Sequence, residues 1–217
     1  MSRQPIPAAP LRPANPFMED HLARLAGKGL VLDLGCGNGF WLERMNRMGI
    51  RAIGLEPNLS KALEASRHAP LTVGDGCRLP LADASVDLVW CVHVAHHVSS
   101  PQLLLAEAHR VLRLGGHLLL AETVEDNPFI RLARSLRPSW DRVPVRSRFR
   151  AVTLLELLRH NGFEVVASRR HSVLALAAWM LPVAQGRLWL RLAAAEERHL
   201  KPLLRWAAHL ECVCVAR

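Results

Sequence analysis

The chain has 217 residues, of which 50% are hydrophobic and 22% charged, so it can bury the core of one globular domain. This balance excludes a mainly disordered chain. Five cysteines without C-x-x-C or zinc-type Cys/His spacing exclude a disulfide scaffold and favour a reducing compartment. The formal net charge is +9, but 25 of the 28 basic residues are arginine and tyrosine is absent. Because this bias is typical of a GC-rich genome, the charge is weak evidence for a nucleic-acid or membrane partner.

The first sixteen residues are rich in proline and contain no continuous apolar run, so they predict a mobile arm and no secretory signal. The longest apolar stretch, residues 173–184, contains Pro182 and is too short for a membrane span. We therefore expect a soluble, cytoplasmic protein in which residues 17–217 form a single domain.

Helical and strand patterns alternate from Phe17 onward, where a first helix runs to the Gly-Lys-Gly of residues 27–29. The elements that follow are strand 30–34, helix 39–48, strand 50–55, helix 58–67, strand 71–73, strand 86–92, helix 101–113, strand 116–122, helix 151–160, strand 163–168 and strand 210–216. Such alternation predicts an α/β fold with a parallel sheet covered by helices on both faces.

Two segments do not fit this alternation. Residues 123–150 carry seven arginines and predict a connection or lid over the site, whereas residues 172–207 predict two or three short helices broken by Pro182, Gly186 and Pro202. We expect both segments to shape the site's second ligand pocket.

The most informative segment is the glycine-rich turn between the first strand and the next helix, Asp33-Leu34-Gly35-Cys36-Gly37-Asn38-Gly39-Phe40. In an open α/β sheet, such a turn marks the ligand crevice at the carboxyl ends of the strands. Phe40 occupies the position of the third glycine of the dinucleotide fingerprint G-x-G-x-x-G, so that motif is not satisfied. Asp33 would also place a negative charge near a pyrophosphate.

Three acids in this region describe a different ligand. Asp33 suits a cationic amine, Glu56 ends the next strand where a ribose diol would lie, and Asp75 follows the third strand and can accept from an adenine amino group. Amine, ribose and adenine together describe S-adenosylmethionine.

With these motifs the chain resembles the class I S-adenosylmethionine-dependent methyltransferases of the small-molecule, ubiquinone/menaquinone-biosynthesis-like group (methyltransferase type 11). The resemblance covers residues 30–122 and rests on the turn 33–39, Glu56-Pro57, Asp75, the run from Leu79 to Val89, and Arg110 to Gly116. It implies a Rossmann-like, doubly wound, seven-stranded sheet, mostly parallel with an antiparallel last strand.

The resemblance also implies a role for each matched position. The turn would contact the methionine part of the cofactor, Glu56 the ribose, Asp75 and its neighbours the adenine, and the Cys91 carbonyl the amine. The implied cofactor-binding set is Asp33, Gly35, Cys36, Gly37, Glu56, Pro57, Asp75, Gly76, Cys77 and Cys91. The product would be S-adenosylhomocysteine, and no metal is expected.

His96 and His97, which follow the fourth strand, are the candidate general bases or acceptor-positioning groups. As sequence neighbours they should point in different directions, and we favour His96. The alternative is that both merely pack the loop. Cys212 and Cys214 share one face of the last strand and are expected to be buried packing.

A small, lipophilic or aromatic acceptor is the favoured substrate class, with apolar walls that would include Trp140, Trp179 and Met180. Motifs for amino methylation of nucleic-acid bases and for protein arginine methylation are absent. Two alternatives stay open: an RNA methyltransferase that uses the arginine-rich segment 131–150, and a cofactor-binding protein without transferase activity. The oligomeric state and the atom methylated are not predicted.

Overall fold

The computed structural model describes residues 16–128, 130, 145–173, 195–196 and 198–217. The strands are β1 (Leu30–Leu34), β2 (Arg51–Glu56), β3 (Leu71–Val73), β4 (Val86–Val92), β5 (Leu112–Thr123), β6 (Phe163–His171) and β7 (His209–Ala216). The helices are α1 (Pro16–Ala26), α2 (Phe40–Arg47), α3 (Leu59–Ala65), α4 (Pro101–Val111), α5 (Ala151–His160) and a 3₁₀ helix at Lys201–Trp206.

The seven strands form one sheet in the order β3-β2-β1-β4-β5-β7-β6. The β3–β2, β2–β1, β1–β4 and β4–β5 pairs are parallel. β7 lies antiparallel between β5 and β6. This architecture confirms the predicted Rossmann-like, mostly parallel sheet with an antiparallel last strand.

Helices pack on both faces of the sheet because alternate strand residues point to opposite sides. On one face, α1 and α2 cover Val31, Leu88, Trp90 and other inward-facing residues. On the other, α4 and α5 cover a larger core that contains Leu32, Val89, Leu118, Cys212 and Cys214. The two cysteines of the last strand are therefore core residues, and burial raises the pKa of Cys212 to about 12.

Most predicted elements agree with the structure within two or three residues. The main difference is β5, which begins at Leu112 rather than at residue 116. The irregularity lies between the Val86–Leu112 and Leu88–His117 pairs, so the extra residues of β5 bulge out of the ladder. Gly115 has a φ of +74°, a conformation that suits glycine at such a bulge.

The predicted arm lies outside the described residues apart from Pro16, which begins α1. Most of the predicted lid 123–150 and of the segment 172–207 also lies outside them, including Trp140, Trp179 and Met180. No helix among the described residues is both long and apolar enough to span a bilayer.

Candidate functional site

The site lies at the carboxyl ends of the parallel strands, around the point where the strand order reverses. β1 is flanked by β2 on one side and β4 on the other. The connections that leave β1 and β4 therefore diverge, and such a switch point is where open α/β sheets bind ligands. Asp33, Glu56 and Cys91 lie near the ends of β1, β2 and β4 respectively.

The glycine turn after β1 is held against β2 by its backbone. The N–H groups of Gly35 and Cys36 donate to the Leu55 carbonyl at 2.8 and 3.0 Å. Gly35 has a φ of +75°, and a Cβ there would lie 2.6 Å from Val94 Cγ2. Only glycine fits this position, where the turn meets the loop that follows β4.

Gly37 differs from Gly35 in its surroundings. Its φ is +56°, and a Cβ built on it would meet nothing within 4 Å, so open space lies over this part of the turn. Its N–H donates to Glu56 Oε2 at 3.0 Å. The other carboxylate oxygen of Glu56 accepts the Asn58 N–H, also at 3.0 Å. The glutamate thus ties the turn to the end of β2.

The turn is flanked by two buried acids, because Asp33 is only 2% exposed and Glu56 only 6%. Their influence is visible on Cys36, whose pKa is raised to about 12 by burial and then by the negative charges of Asp33 and Glu56. The Cys36 thiol therefore stays protonated and is not a nucleophile. The crevice favours a cation over a phosphate.

Residues 75–77 form a turn directly after β3. Asp75 is exposed, and its Oδ1 accepts the Cys77 N–H at 2.9 Å. Gly76 is buried, and a Cβ there would lie 2.7 Å from Leu104 Cδ1 and 3.3 Å from Leu34 Cδ1. This turn therefore packs against the end of β1 and leaves the Asp75 carboxylate at the surface of the crevice.

Cys91 and Pro57 complete the predicted cofactor set. Cys91 is buried, and its pKa is raised by burial and then by the charges of Glu122 and Asp33. It therefore stays a neutral thiol, and its implied contribution is the backbone carbonyl. Pro57 is exposed next to Glu56. All ten predicted positions lie along one edge of the sheet.

Glu122 is a site residue that sequence reasoning missed. It lies near the end of β5, is fully buried, and accepts the Ala95 N–H at 2.7 Å through Oε1. Its Oε2 lies 2.5 Å from His96 Nδ1. The structure thus supports the preference for His96 by giving it a carboxylate partner. The signal was a charged residue inside an otherwise apolar strand.

The two neighbouring histidines do not point apart. Their ring centroids are 3.9 Å from each other, so that expectation is wrong. Residues 95–97 form a turn, and the alternation of side chains in a regular strand does not apply there.

More histidines continue from this pair along the sheet edge. The His93 ring lies 6.2 Å from that of His96 and 5.7 Å from that of His209, which stacks on His171 at 5.0 Å. His171 Nε2 bonds to the buried Glu211 at 2.9 Å. The sequence did not reveal this row because β4, β6 and β7 bring it together from distant segments.

The described end of the predicted lid contacts the site directly. The N–H groups of Arg146 and Ser147 donate to the His96 carbonyl at 2.8 and 3.2 Å. Arg148 pairs with Glu125 at 3.0 Å, so this arginine is bound within the chain. The remaining arginines of the segment from 131 to 142 lie outside the described residues.

Comparison with known proteins agrees with this geometry. Residues 32–120 match the family model described as a methyltransferase domain. This segment is a methyltransferase domain. It contains the ten predicted cofactor positions and both candidate histidines, whereas Glu122 lies two residues beyond its end.

Proteins similar to this methyltransferase domain include an uncharacterized methyltransferase of Mycolicibacterium gilvum, 36% identical over 104 residues. That alignment covers 46% of this chain and 41% of the relative, so the chain matches less than half the relative's length. Solved structures of similar fold include a SAM-dependent methyltransferase from Thermotoga maritima, a possible histamine N-methyltransferase. It is 21% identical, with a TM-score of 0.64 over 92% of this chain and 87% of that one.

A geranyl diphosphate methyltransferase, in complex with GPP and sinefungin, is 17% identical to this chain. Its TM-score is 0.66 over 93% of this chain and 77% of that one. At these identities the two solved structures show that the methyltransferase domain shares their fold.

Proposed function

We propose that this protein is an S-adenosylmethionine-dependent methyltransferase that acts on a small, lipophilic or aromatic acceptor. The observation that carries the proposal is the pair of buried acids, Asp33 and Glu56, on either side of a glycine turn with open space above Gly37. A turn lined in this way repels a pyrophosphate and suits a ligand that combines an amine with a diol.

The residues present fit the cofactor group by group. Asp33 and the Cys91 carbonyl would hold the amine, Gly35, Cys36 and Gly37 the methionine part, and Glu56 with Pro57 the ribose. Asp75, Gly76 and Cys77 would hold the adenine. When bound, the cofactor supplies an electrophilic methyl group on a sulfonium. The chain's contribution is to align the acceptor and to exclude water, which accounts for much of the acceleration of such a displacement.

His96 supplies the acid–base function if the acceptor must lose a proton. In the tautomer in which Nδ1–H donates to Glu122, Nε2 carries the lone pair and can accept a proton from a hydroxyl. Glu122 positions the ring and stabilises its charged form. The bonds from Arg146 and Ser147 to the His96 carbonyl hold the same turn from outside.

Two observations support a small-molecule acceptor over RNA. Arg148, one of the arginines proposed to hold phosphates, is paired with Glu125. The fold is also shared with a methyltransferase of geranyl diphosphate, which is a small lipophilic substrate.

The test is transfer of a labelled methyl group from S-adenosylmethionine to a panel of phenols, quinols, isoprenoid compounds, amines and total RNA. We expect label in one small-molecule class, and its loss in Glu56→Gln but not in Glu64→Gln, which changes an exposed acid on α3. Label in RNA that weakens steeply with salt would replace the small-molecule proposal with the RNA alternative. Cofactor binding without transfer to any acceptor would favour the binding protein.

A further inference from the structure

Three side chains beside the proposed acceptor site form a set of donors suited to a metal ion. His93, His96 and Glu122 each offer one donor atom, and these atoms lie within 4.8 Å of one another. They come from the loop after β4 and from the end of β5, which are adjacent in the sheet. Donors around a four-coordinate ion lie about 3.3 Å apart, so small side-chain rotations would close the set.

The carboxylate of this set is already fixed in place. Glu122 is fully buried and its Oε1 is occupied by the Ala95 N–H, which leaves Oε2 facing His96. A carboxylate in such a place requires a compensating positive charge or hydrogen bonds. In this structure the His96 ring fills that position. A divalent cation between the two side chains would compensate the charge more completely.

His93 reaches the set through an uncommon backbone conformation. Its φ is +58°, in the left-handed region, and its N–H donates to the Ala121 carbonyl at 2.8 Å. Such a conformation costs on the order of 1–3 kcal/mol for a residue other than glycine, and it clusters at ligand sites. The bend brings the exposed His93 ring to 6.2 Å from the His96 ring, over the buried glutamate.

We propose that His93, His96 and Glu122 bind a divalent d-block cation, with zinc as the type ion. Two imidazoles and one carboxylate are borderline donors that suit zinc, cobalt or iron(II) better than magnesium or calcium. Three protein ligands leave at least one coordination position open, on the side where His93 is exposed. This proposal replaces the expectation of a metal-free site.

The open position takes an oxygen donor such as a hydroxyl, a phenol or water. Assigning it to the methyl acceptor rests on the proposed function, whereas binding of the ion does not. The ion and the proton between His96 and Glu122 are alternative occupants. In the loaded form, the ion would therefore lower the pKa of a bound acceptor hydroxyl in place of a base.

The test is titration of the full chain, stripped with a chelator and free of any histidine tag, with Co²⁺ and then Zn²⁺. We expect one Co²⁺ per chain with visible d–d absorption, displaced by Zn²⁺, and calorimetry should give the same stoichiometry. His93→Asn is the principal variant because asparagine tolerates the left-handed backbone and His93 is exposed. It should weaken binding roughly tenfold or more.

His97→Ala is the matched control, since His97 lies in the same turn but outside the donor set. It should bind cobalt like the wild type. Absence of one-to-one binding, equal affinity in His93→Asn, or an equal loss in His97→Ala would overturn the proposal. No cofactor or acceptor is present in this titration, so a failure of the proposed methyl transfer would leave its result unaffected.

Discussion

His96 Nδ1 lies 2.5 Å from the Oε2 of Glu122, a carboxylate that is fully buried at the end of the neighbouring strand. The two residues are 26 positions apart in sequence, and the parallel β4–β5 pair brings them together. A buried carboxylate that bonds one imidazole nitrogen fixes the ring and its tautomer. This pair is therefore the strongest candidate for the acid–base function of the acceptor site.

The first prediction concerns this pair. In the presence of EDTA, His96→Asn should lower kcat by about 10²–10⁴-fold with an acceptor that must be deprotonated. Glu122→Gln should lower it less and shift the pH profile of kcat, because the ring loses its charged partner. KM for S-adenosylmethionine should stay the same in both, as measured by steady-state kinetics. Equal losses in His97→Asn, or an unchanged pH profile in Glu122→Gln, would argue against the assignment.

The second prediction uses two glycines with the same backbone strain. Gly27 and Gly37 have φ values of +49° and +56°, and a Cβ added at either position would meet no atom within 4 Å. Alanine should therefore cost each about 1–2 kcal/mol of stability. Only Gly37→Ala should also weaken binding of S-adenosylmethionine, because only that Cβ enters the proposed crevice. Urea unfolding and calorimetry of both variants measure the two effects, and equal cofactor affinities would contradict this placement of the ligand.

The third prediction concerns acid sensitivity. Burial, and then the charges of His171 and His93, hold the pKa of His209 well below its ordinary value of 6.5. The unfolded chain therefore binds more protons below pH 6.5, and stability falls as the pH drops from there toward the folded pKa. Relative to His209→Leu, the wild type should lose up to about 1.4 kcal/mol per pH unit in that range. Urea unfolding at pH 7.5 and 5.5 checks this, and parallel pH dependences of the two proteins would refute it.

The fourth prediction concerns how α4 holds the segment before β4. Glu107 accepts the Leu79 N–H at 2.7 Å and pairs with Arg110, which itself donates to the Leu79 and Leu81 carbonyls. Glu107→Gln should therefore lower the free energy of unfolding by about 1–3 kcal/mol at pH 7. Glu156→Gln, an exposed change on α5, should have little effect.

The pH dependence of this effect has a definite sign. Arg110, more than any other group, holds the pKa of Glu107 below its ordinary value of 4.5. Its stabilisation is therefore present above pH 4.5 and is lost as the pH falls through the folded pKa. The difference between wild type and Glu107→Gln should shrink in acid, and a constant difference down to pH 3 would show that the ion pair is not its source.

Much of the fold could be predicted from the sequence because local signals agree with it. The run from Leu30 to Leu34, the glycine turn and the Asn161-Gly162 helix end are each explicit in the residues. The irregular start of β5 could not be predicted, because it depends on its pairing with β4. The cofactor half of the site follows consecutive strands, so its acids were visible along the chain.

The acceptor half was only partly predictable. His96 was found because it follows β4, but Glu122 belongs to a different strand and read as one charge in an apolar run. His93, His171 and His209 meet only through the order of β4, β5, β7 and β6. Contacts of this kind depend on tertiary packing and leave no short-range pattern.

The most direct test of the proposed cofactor site is calorimetric titration with S-adenosylmethionine, S-adenosylhomocysteine and NAD. We predict that the first two bind one-to-one and that NAD does not bind. Asp33→Ala and Glu56→Ala should each abolish or greatly weaken binding, while Glu64→Ala, on the exposed side of α3, should bind like the wild type. No binding of either S-adenosyl compound, or equal binding by all variants, would contradict this cofactor site.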